Sequence, residues 1–179
     1  MTDYKELATR IRVQALKMMH RAKSGHLGSS FSTANILAVL YGGILNTDPS
    51  NPAWSDRDRF ILSKGHGTST VYAALAQRGF SPREWLDSFY LNDTHLPGHV
   101  TQSVPGIEAS TGTLGHGLPI GSGMALAGKY DNKSYRVYVI LSDGDWYESA
   151  RCCRGNLYDN VISGGSIIID DSESYVGVK

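Results

Sequence analysis

A chain of 179 residues has room for one ordinary domain with a real core, and its 17 basic and 17 acidic side chains leave no net formal charge. A balanced surface offers no broad attraction to a nucleic-acid backbone or an anionic membrane, so neither is an expected partner, and any bound anion must be held by a local site. No apolar run approaches the roughly 20 residues that span a bilayer, the first residues (Met1-Thr2-Asp3-Tyr4-Lys5-Glu6) carry no apolar signal core, and the adjacent Cys152 and Cys153 cannot form a sequence-spanning disulfide. The expectation is one soluble cytoplasmic domain over residues 1–179.

In chain order, Leu7, Ile11, Leu16 and Met19 recur near helical spacing, which predicts a helix over 4–21 that stops before Gly25. Ser32 or Thr33 is placed to cap a second helix running through Ile36, Leu37, Leu40 and Tyr41. Residues 48–52 form a loop, and Phe60-Ile61-Leu62-Ser63 reads as a short buried strand ending at Lys64-Gly65-His66-Gly67. A helix over 70–78 follows. Ser81-Pro82-Arg83-Glu84 offers a cap, a proline at the first helical position and an acid after it, a helix start. Residues 95–113 show little periodicity and read as a long loop over a site. A small-residue helix over 118–129 suits tight packing, and residues 135–141 form the strongest strand, running into Ser142-Asp143-Gly144-Asp145. A weaker helix is expected over 148–157 and another buried strand over 166–170. Alternating helices and apolar strands predict an α/β fold, a mostly parallel open sheet with helices on both faces. In such sheets ligands bind at the carboxyl ends of strands, where the polar groups of Ser63–His66, Ser142–Asp145 and Asp170–Glu173 fall.

The twenty glycines cluster where the chain could approach a ligand closely. Three of the histidines that follow glycines stand out: His26, His66 and His99. Neutral imidazole donates one hydrogen bond and accepts another, which suits phosphate oxygens and hydroxyls. A lone histidine is more often a packed or surface residue, and zinc is the rival ligand, but no Cys/His pair has finger-like spacing. Asp143-Gly144 places a carboxylate and a permissive glycine at a strand end, suited to Mg²⁺ or Ca²⁺ bridging to a diphosphate; a plain Asp-Gly turn is the bland alternative. The glycine-rich stretch over 106–117 enters a helix without a strand just before it, so it is not a dinucleotide fingerprint. It could still turn backbone amides toward an anion. Trp54, Trp85 and Trp146 are assigned to core or interface.

Together, Lys23-Ser24-Gly25-His26-Leu27-Gly28, Leu62-Ser63-Lys64-Gly65-His66-Gly67, Leu96-Pro97-Gly98-His99 and the 106–117 stretch resemble the N-terminal, diphosphate-binding domain of transketolases. The likeness is closest to the split form, in which this domain is a separate subunit, and it covers about residues 5–145. It implies thiamine diphosphate as cofactor and Mg²⁺ or Ca²⁺ as metal. His26 and His99 would face the substrate and reacting centre, His66 would contact the diphosphate, and Gly112, Leu114 and His116 would line the cofactor. Asp143 would ligate the metal and Gly144 would offer its amide to the diphosphate. The activity implied is transfer of a two-carbon ketol unit between sugar phosphates, as part of carbohydrate metabolism through the pentose phosphates, with the cofactor supplying the chemistry.

The family's strand-end motif is Gly-Asp-Gly-Glu, whereas this chain has Ser142-Asp143-Gly144-Asp145. Its second metal ligand, an asparagine some thirty residues on, falls at Ser172 or Glu173. Relatives continue beyond this point with further strands, so an incomplete domain with its C-terminal part missing is expected. A C-terminal transketolase subunit is the expected partner, and a homo-oligomer the expected assembly. Two alternatives stand beside this reading: a non-catalytic transketolase-like interaction or regulatory protein, and a related thiamine diphosphate enzyme such as a deoxyxylulose-phosphate or dihydroxyacetone synthase. Metal-dependent cofactor binding separates the non-catalytic alternative from the others.

Overall fold

The computed structural model describes residues 2–152 and 165–170. Within these residues five α-helices and three strands follow one another as α1 (Tyr4–Ala22), α2 (Leu27–Val39), β1 (Arg59–Leu62), α3 (Thr68–Arg78), α4 (Gly117–Tyr130), β2 (Val137–Ser142), α5 (Asp143–Cys152) and β3 (Gly165–Asp170). The strands form a parallel sheet in the order β1-β2-β3, with Arg59 opposite Val137, Leu62 opposite Ile140 and Ser142 opposite Asp170.

Side-chain alternation along the strands divides the core in two. Phe60, Leu62, Tyr138 and Ile140 face the α1, α2 and α3 layer, which contributes Ile11, Leu37, Val71 and Leu75. Ile61, Val137, Val139 and Leu141 face the other way onto Leu118 and Ala125 of α4. Helices therefore cover both faces of a parallel sheet, as the alternation of segments predicts. Gly121 lets α4 lie close to the sheet: a Cβ there would come within 2.6 Å of Val139 Cγ2.

Asp3 caps α1 by accepting from the amides of Lys5 and Glu6 at 2.9 and 3.1 Å. The buried stripe of α1 is Ala8, Ile11, Ala15, Met18 and Met19, while Leu16 is exposed. Alanines, rather than the larger Leu16, complete the apolar face.

The second helix begins five residues before its predicted cap. The Ser32 and Thr33 hydroxyls bond back to the Ser29 and Ser30 carbonyls at 3.0 and 2.8 Å, so they sit inside the helix instead of starting it. Its true N-cap is His26, in the left-handed region with φ 64°. The helix continues as a π-helical turn over Leu40–Ile44, where Gly42 and Gly43 lie under the Tyr4 ring. The whole Leu27–Ile44 stretch is an 18-residue apolar segment, longer than the sequence reading allowed. Here it serves as a core helix between α1 and α3, with Ala34, Leu37, Ala38 and Leu40 buried.

Ser81-Pro82 starts only a 3₁₀ helix, Arg83–Ser88, and the buried Ser81 hydroxyl makes no capping bond. Residues 89–116 run without regular structure, anchored by buried Leu96, Val100, Val104 and Ala109.

Candidate functional site

The carboxyl ends of β1 and β2 and the long 89–116 loop meet on one side of the sheet. The first site feature is a cleft of about 240 Å³ whose walls include His26, His66 and His99 together with Lys23, Gly98 and Tyr90. The rings of His26 and His66 lie 5.0 Å apart, tilted by 50°. Three glycine-flanked histidines spread over 73 positions of sequence (99 − 26) thus converge on one opening.

Hydroxyl contacts between α2 and α3 fix that convergence. Ser69 Oγ donates to Ser30 Oγ at 2.9 Å, and the Thr33 and Thr70 hydroxyls pair at 2.9 Å, all of them buried. These bonds lock the helix that begins at His26 to the helix that follows His66. His66 itself sits in a 3₁₀ turn, Gly65–Gly67. Gly65 can be only glycine, because a Cβ would run into the carbonyl of Thr111. The Thr111 hydroxyl in turn donates to the Leu62 carbonyl at 2.5 Å, which pins the loop to the end of β1. Next in the chain, Gly112 lies under His99, its Cβ position 3.2 Å from the imidazole Cδ2. His99 is held from below as well: the Tyr72 hydroxyl donates to its carbonyl at 2.9 Å. Burial pushes the Tyr72 phenol up to about 12.

A second group of candidates gathers at the end of β2. Asp143 and Gly144 are exposed in the first turn of α5, and Leu114 and His116 are exposed where the loop enters α4, His116 as the helix N-cap. None of these four residues lines the histidine cleft; Gly112, backed onto His99, links the two groups. The Asp143 carboxylate accepts from the Gly144 amide at 2.8 Å. Ser172 and Glu173, the positions expected to supply the second metal ligand, lie outside the described residues, as do the last residues of the helix expected over 148–157.

That helix starts at Asp143, five residues earlier than the sequence suggests, and Ser142 and Asp145 account for it. The Asp145 amide donates to Ser142 Oγ at 3.2 Å, and the Ser142 amide donates to Asp145 Oδ2 at 3.4 Å. This reciprocal pair is a capping box, with serine at the cap and an acid three residues on. The two departures from the family motif are thus partners in one local structure. Asp143 and Asp145 in the first turn also suit the positive end of the helix dipole.

The sequence places Ser63, Lys64 and Asp145 at strand ends but does not reveal their burial or their partners, and it gives Tyr90 no role. Asp145 is fully buried, as are Ser63 and Lys64. The Lys64 ammonium donates to Ser32 Oγ at 3.0 Å beneath the cleft. Tyr90 forms a wall of the cleft in a left-handed conformation, φ 63°, with its ring filling the space a Gly98 side chain would need. A serine-x-x-acid pattern after an apolar run could have revealed the capping box; nothing local marks Tyr90.

Fold and site together define an α/β domain that gathers histidines, a glycine-rich loop and an exposed carboxylate at the ends of parallel strands. Residues 3–155 match the family described as transketolase, thiamine diphosphate binding domain, and the chain belongs to that family. It is 39% identical over 160 residues to an apulose-4-phosphate transketolase subunit of Phocaeicola vulgatus, covering 89% of this chain and 55% of that protein. It is 38% identical over 167 residues to a 6-deoxy-6-sulfo-D-fructose transketolase subunit of a Clostridium species, covering 90% of this chain and 61% of that one. The chain therefore spans somewhat more than half the length of these relatives. Among solved structures it superposes on the transketolase of Leishmania mexicana with a TM-score of 0.81 and 28% identity, over 94% of this chain and 27% of that one. The Campylobacter jejuni transketolase gives 0.78 and 32%, over 82% and 25%.

Proposed function

We propose that this chain is the N-terminal subunit of a split transketolase, which binds thiamine diphosphate through a divalent metal and acts with a C-terminal subunit in two-carbon transfer between sugar phosphates. The observation that carries this reading is the convergence of His26, His66 and His99 on one cleft, with Gly112 backed onto His99. The names of the relatives support the partner: two are subunits of transketolases acting on a phosphorylated and a sulfonated sugar. A homo-oligomer of the paired subunits and a cytoplasmic setting belong to the same proposal.

The residues present suit the cofactor. The buried Ser24 and Ser29 hydroxyls have no partner among the described residues, and the exposed Gly112 keeps the loop beside His99 free of a side chain. His66 would hold the diphosphate, and Gly112, Leu114 and His116 would line the cofactor. Asp143 would ligate Mg²⁺ or Ca²⁺, joined by Ser172 or Glu173, and Gly144 would give its amide. When bound, thiamine diphosphate supplies the nucleophilic carbon and the electron sink that ketol transfer needs. His26 and His99 would orient substrate hydroxyls and exchange protons with them, a role suited to a side chain that donates and accepts near neutral pH.

One contact favours the non-catalytic alternative. The Gly144 amide, the group expected to face the diphosphate, is turned onto Asp143's own carboxylate. Calorimetric titration with thiamine diphosphate, with and without Mg²⁺ and with a transketolase C-terminal subunit present, decides between the two. Metal-dependent binding that disappears in Asp143→Ala supports the catalytic reading. Silence at millimolar cofactor with the partner present sinks it.

A further inference from the structure

The Asp145 carboxylate does more than cap α5. Its Oδ2 side completes the capping box with Ser142. Its Oδ1 side turns the other way and accepts from two groups that have no part in capping: the Gly115 amide at 2.8 Å and the Ser63 hydroxyl at 3.0 Å. Ser63 Oγ accepts in turn from the Gly117 amide at 3.2 Å. One fully buried carboxylate therefore reaches both ends of the turn from Gly115 to Gly117, where the loop enters α4, and ties it to the ends of β1 and β2. Gly115 is gripped from its other side as well. It has φ 83°, its carbonyl accepts from Ser149 Oγ at 3.1 Å, and its Cβ position falls 3.0 Å from the Ser149 nitrogen. A buried carboxylate with all its donors supplied is costly to mispair, so the arrangement admits one geometry.

We infer that Asp145 is a positioning residue that sets the 112–117 loop against the strand end carrying Asp143. Gly112, Leu114 and His116 are in that loop, and Asp143 and Gly144 stand beside the clamp. The consequence for cofactor affinity rests on the function proposed above; the clamp itself does not.

Residue-resolved amide exchange on the full chain tests it. Asp145→Ala removes both carboxylate oxygens, and with them the acceptor of the Gly115 amide and of the Ser63 hydroxyl. Exchange at Gly115 and Gly117 is expected to quicken roughly ten- to hundredfold, with Val139 and Ile140 in β2 changing less. Asp145→Asn keeps an oxygen for Gly115 and is expected to retain its protection. Ser63→Ala is expected to free Gly117 and leave Gly115 protected, which decides the matter should the alanine variant not fold. Unchanged exchange at Gly115 and Gly117 in these variants, or a rise matched at Val139 and Ile140, would overturn the inference. In parallel, Mg²⁺–thiamine diphosphate affinity with the C-terminal subunit present should weaken at least roughly tenfold in Asp145→Ala and recover in Asp145→Asn. A loosened loop with unchanged affinity would remove the link to the cofactor. A wild-type chain that binds no cofactor would sink the proposed function and leave the exchange result to judge the clamp.

Discussion

Arg57 and Glu108 form a two-pronged ion pair, Arg57 Nε to Oε1 at 2.9 Å and Nη2 to Oε2 at 2.7 Å, with the Glu108 side chain only 8% exposed. The pair ties the segment before β1 to the glycine-rich loop. Arg59, which lies over the Tyr135 ring at 4.4 Å, reaches the same carboxylate at 3.8 Å. Two guanidiniums left without their carboxylate in a mostly buried position make Glu108→Ala costly, by about 3 kcal/mol. Chemical denaturation should show this as a lowered midpoint with little change in slope.

Gly121→Ala tests the packing of α4 on the sheet. The added methyl would press on Val139 Cγ2, with Ile61 Cδ1 and Val137 Cγ1 close behind. The gain in helix propensity is smaller than the overpacking cost, and a net loss of about 1 to 2 kcal/mol is expected in thermal unfolding. Gly123→Ala, which meets nothing within 4 Å, should be neutral or stabilising and serves as the control.

Ser142→Ala removes one half of the capping box and leaves the Asp145 amide without its acceptor. The expected loss is about 1 kcal/mol, the usual worth of such a cap. Ser142→Gly, which restores the family residue, should lose less, since glycine at a cap costs only a few tenths relative to serine.

Alkaline pH should weaken the fold through Tyr72. Its folded pKa is raised from 10.0 to about 12, chiefly by burial. A group shifted in this direction contributes stability that is complete below the unfolded value and is lost as pH rises through the folded one. Unfolding midpoints measured from pH 9 to pH 12 should therefore fall above roughly pH 10, and the fall should be shallower in Tyr72→Phe. Tyr41, whose hydroxyl burial also pushes upward, should keep some slope in that variant.

The strands are legible in the sequence because Phe60-Ile61-Leu62 and Val137–Ser142 are apolar on both faces and bounded by turn formers, the pattern of a sheet covered on each side. The histidines are legible as a group because each follows a glycine. Hydroxyl residues mislead where their partner is ambiguous: Ser32 and Thr33 bond backward to carbonyls within a helix, and Ser81 bonds to nothing among the described residues. Comparison of Ser142 with a family motif hides its ordinary role as a cap. Long-range pairings leave no local trace. Glu108 meets Arg57 across 51 positions and Ser63 meets Asp145 across 82, so neither contact follows from periodicity.

That last separation has a kinetic consequence. β1 and β2 pair in register only after the chain between Leu62 and Val137 has been passed around as a crossover, which contains α3, the long loop and α4. Pairings so distant in sequence are entropically expensive to nucleate and slow to form. The closing of this register brings Ser63 to Asp145 and the glycine loop to its clamp. The site therefore depends on the same slow pairing of β1 with β2, and a nascent chain halted before residue 137 would hold the histidines without the strand and carboxylate that frame them.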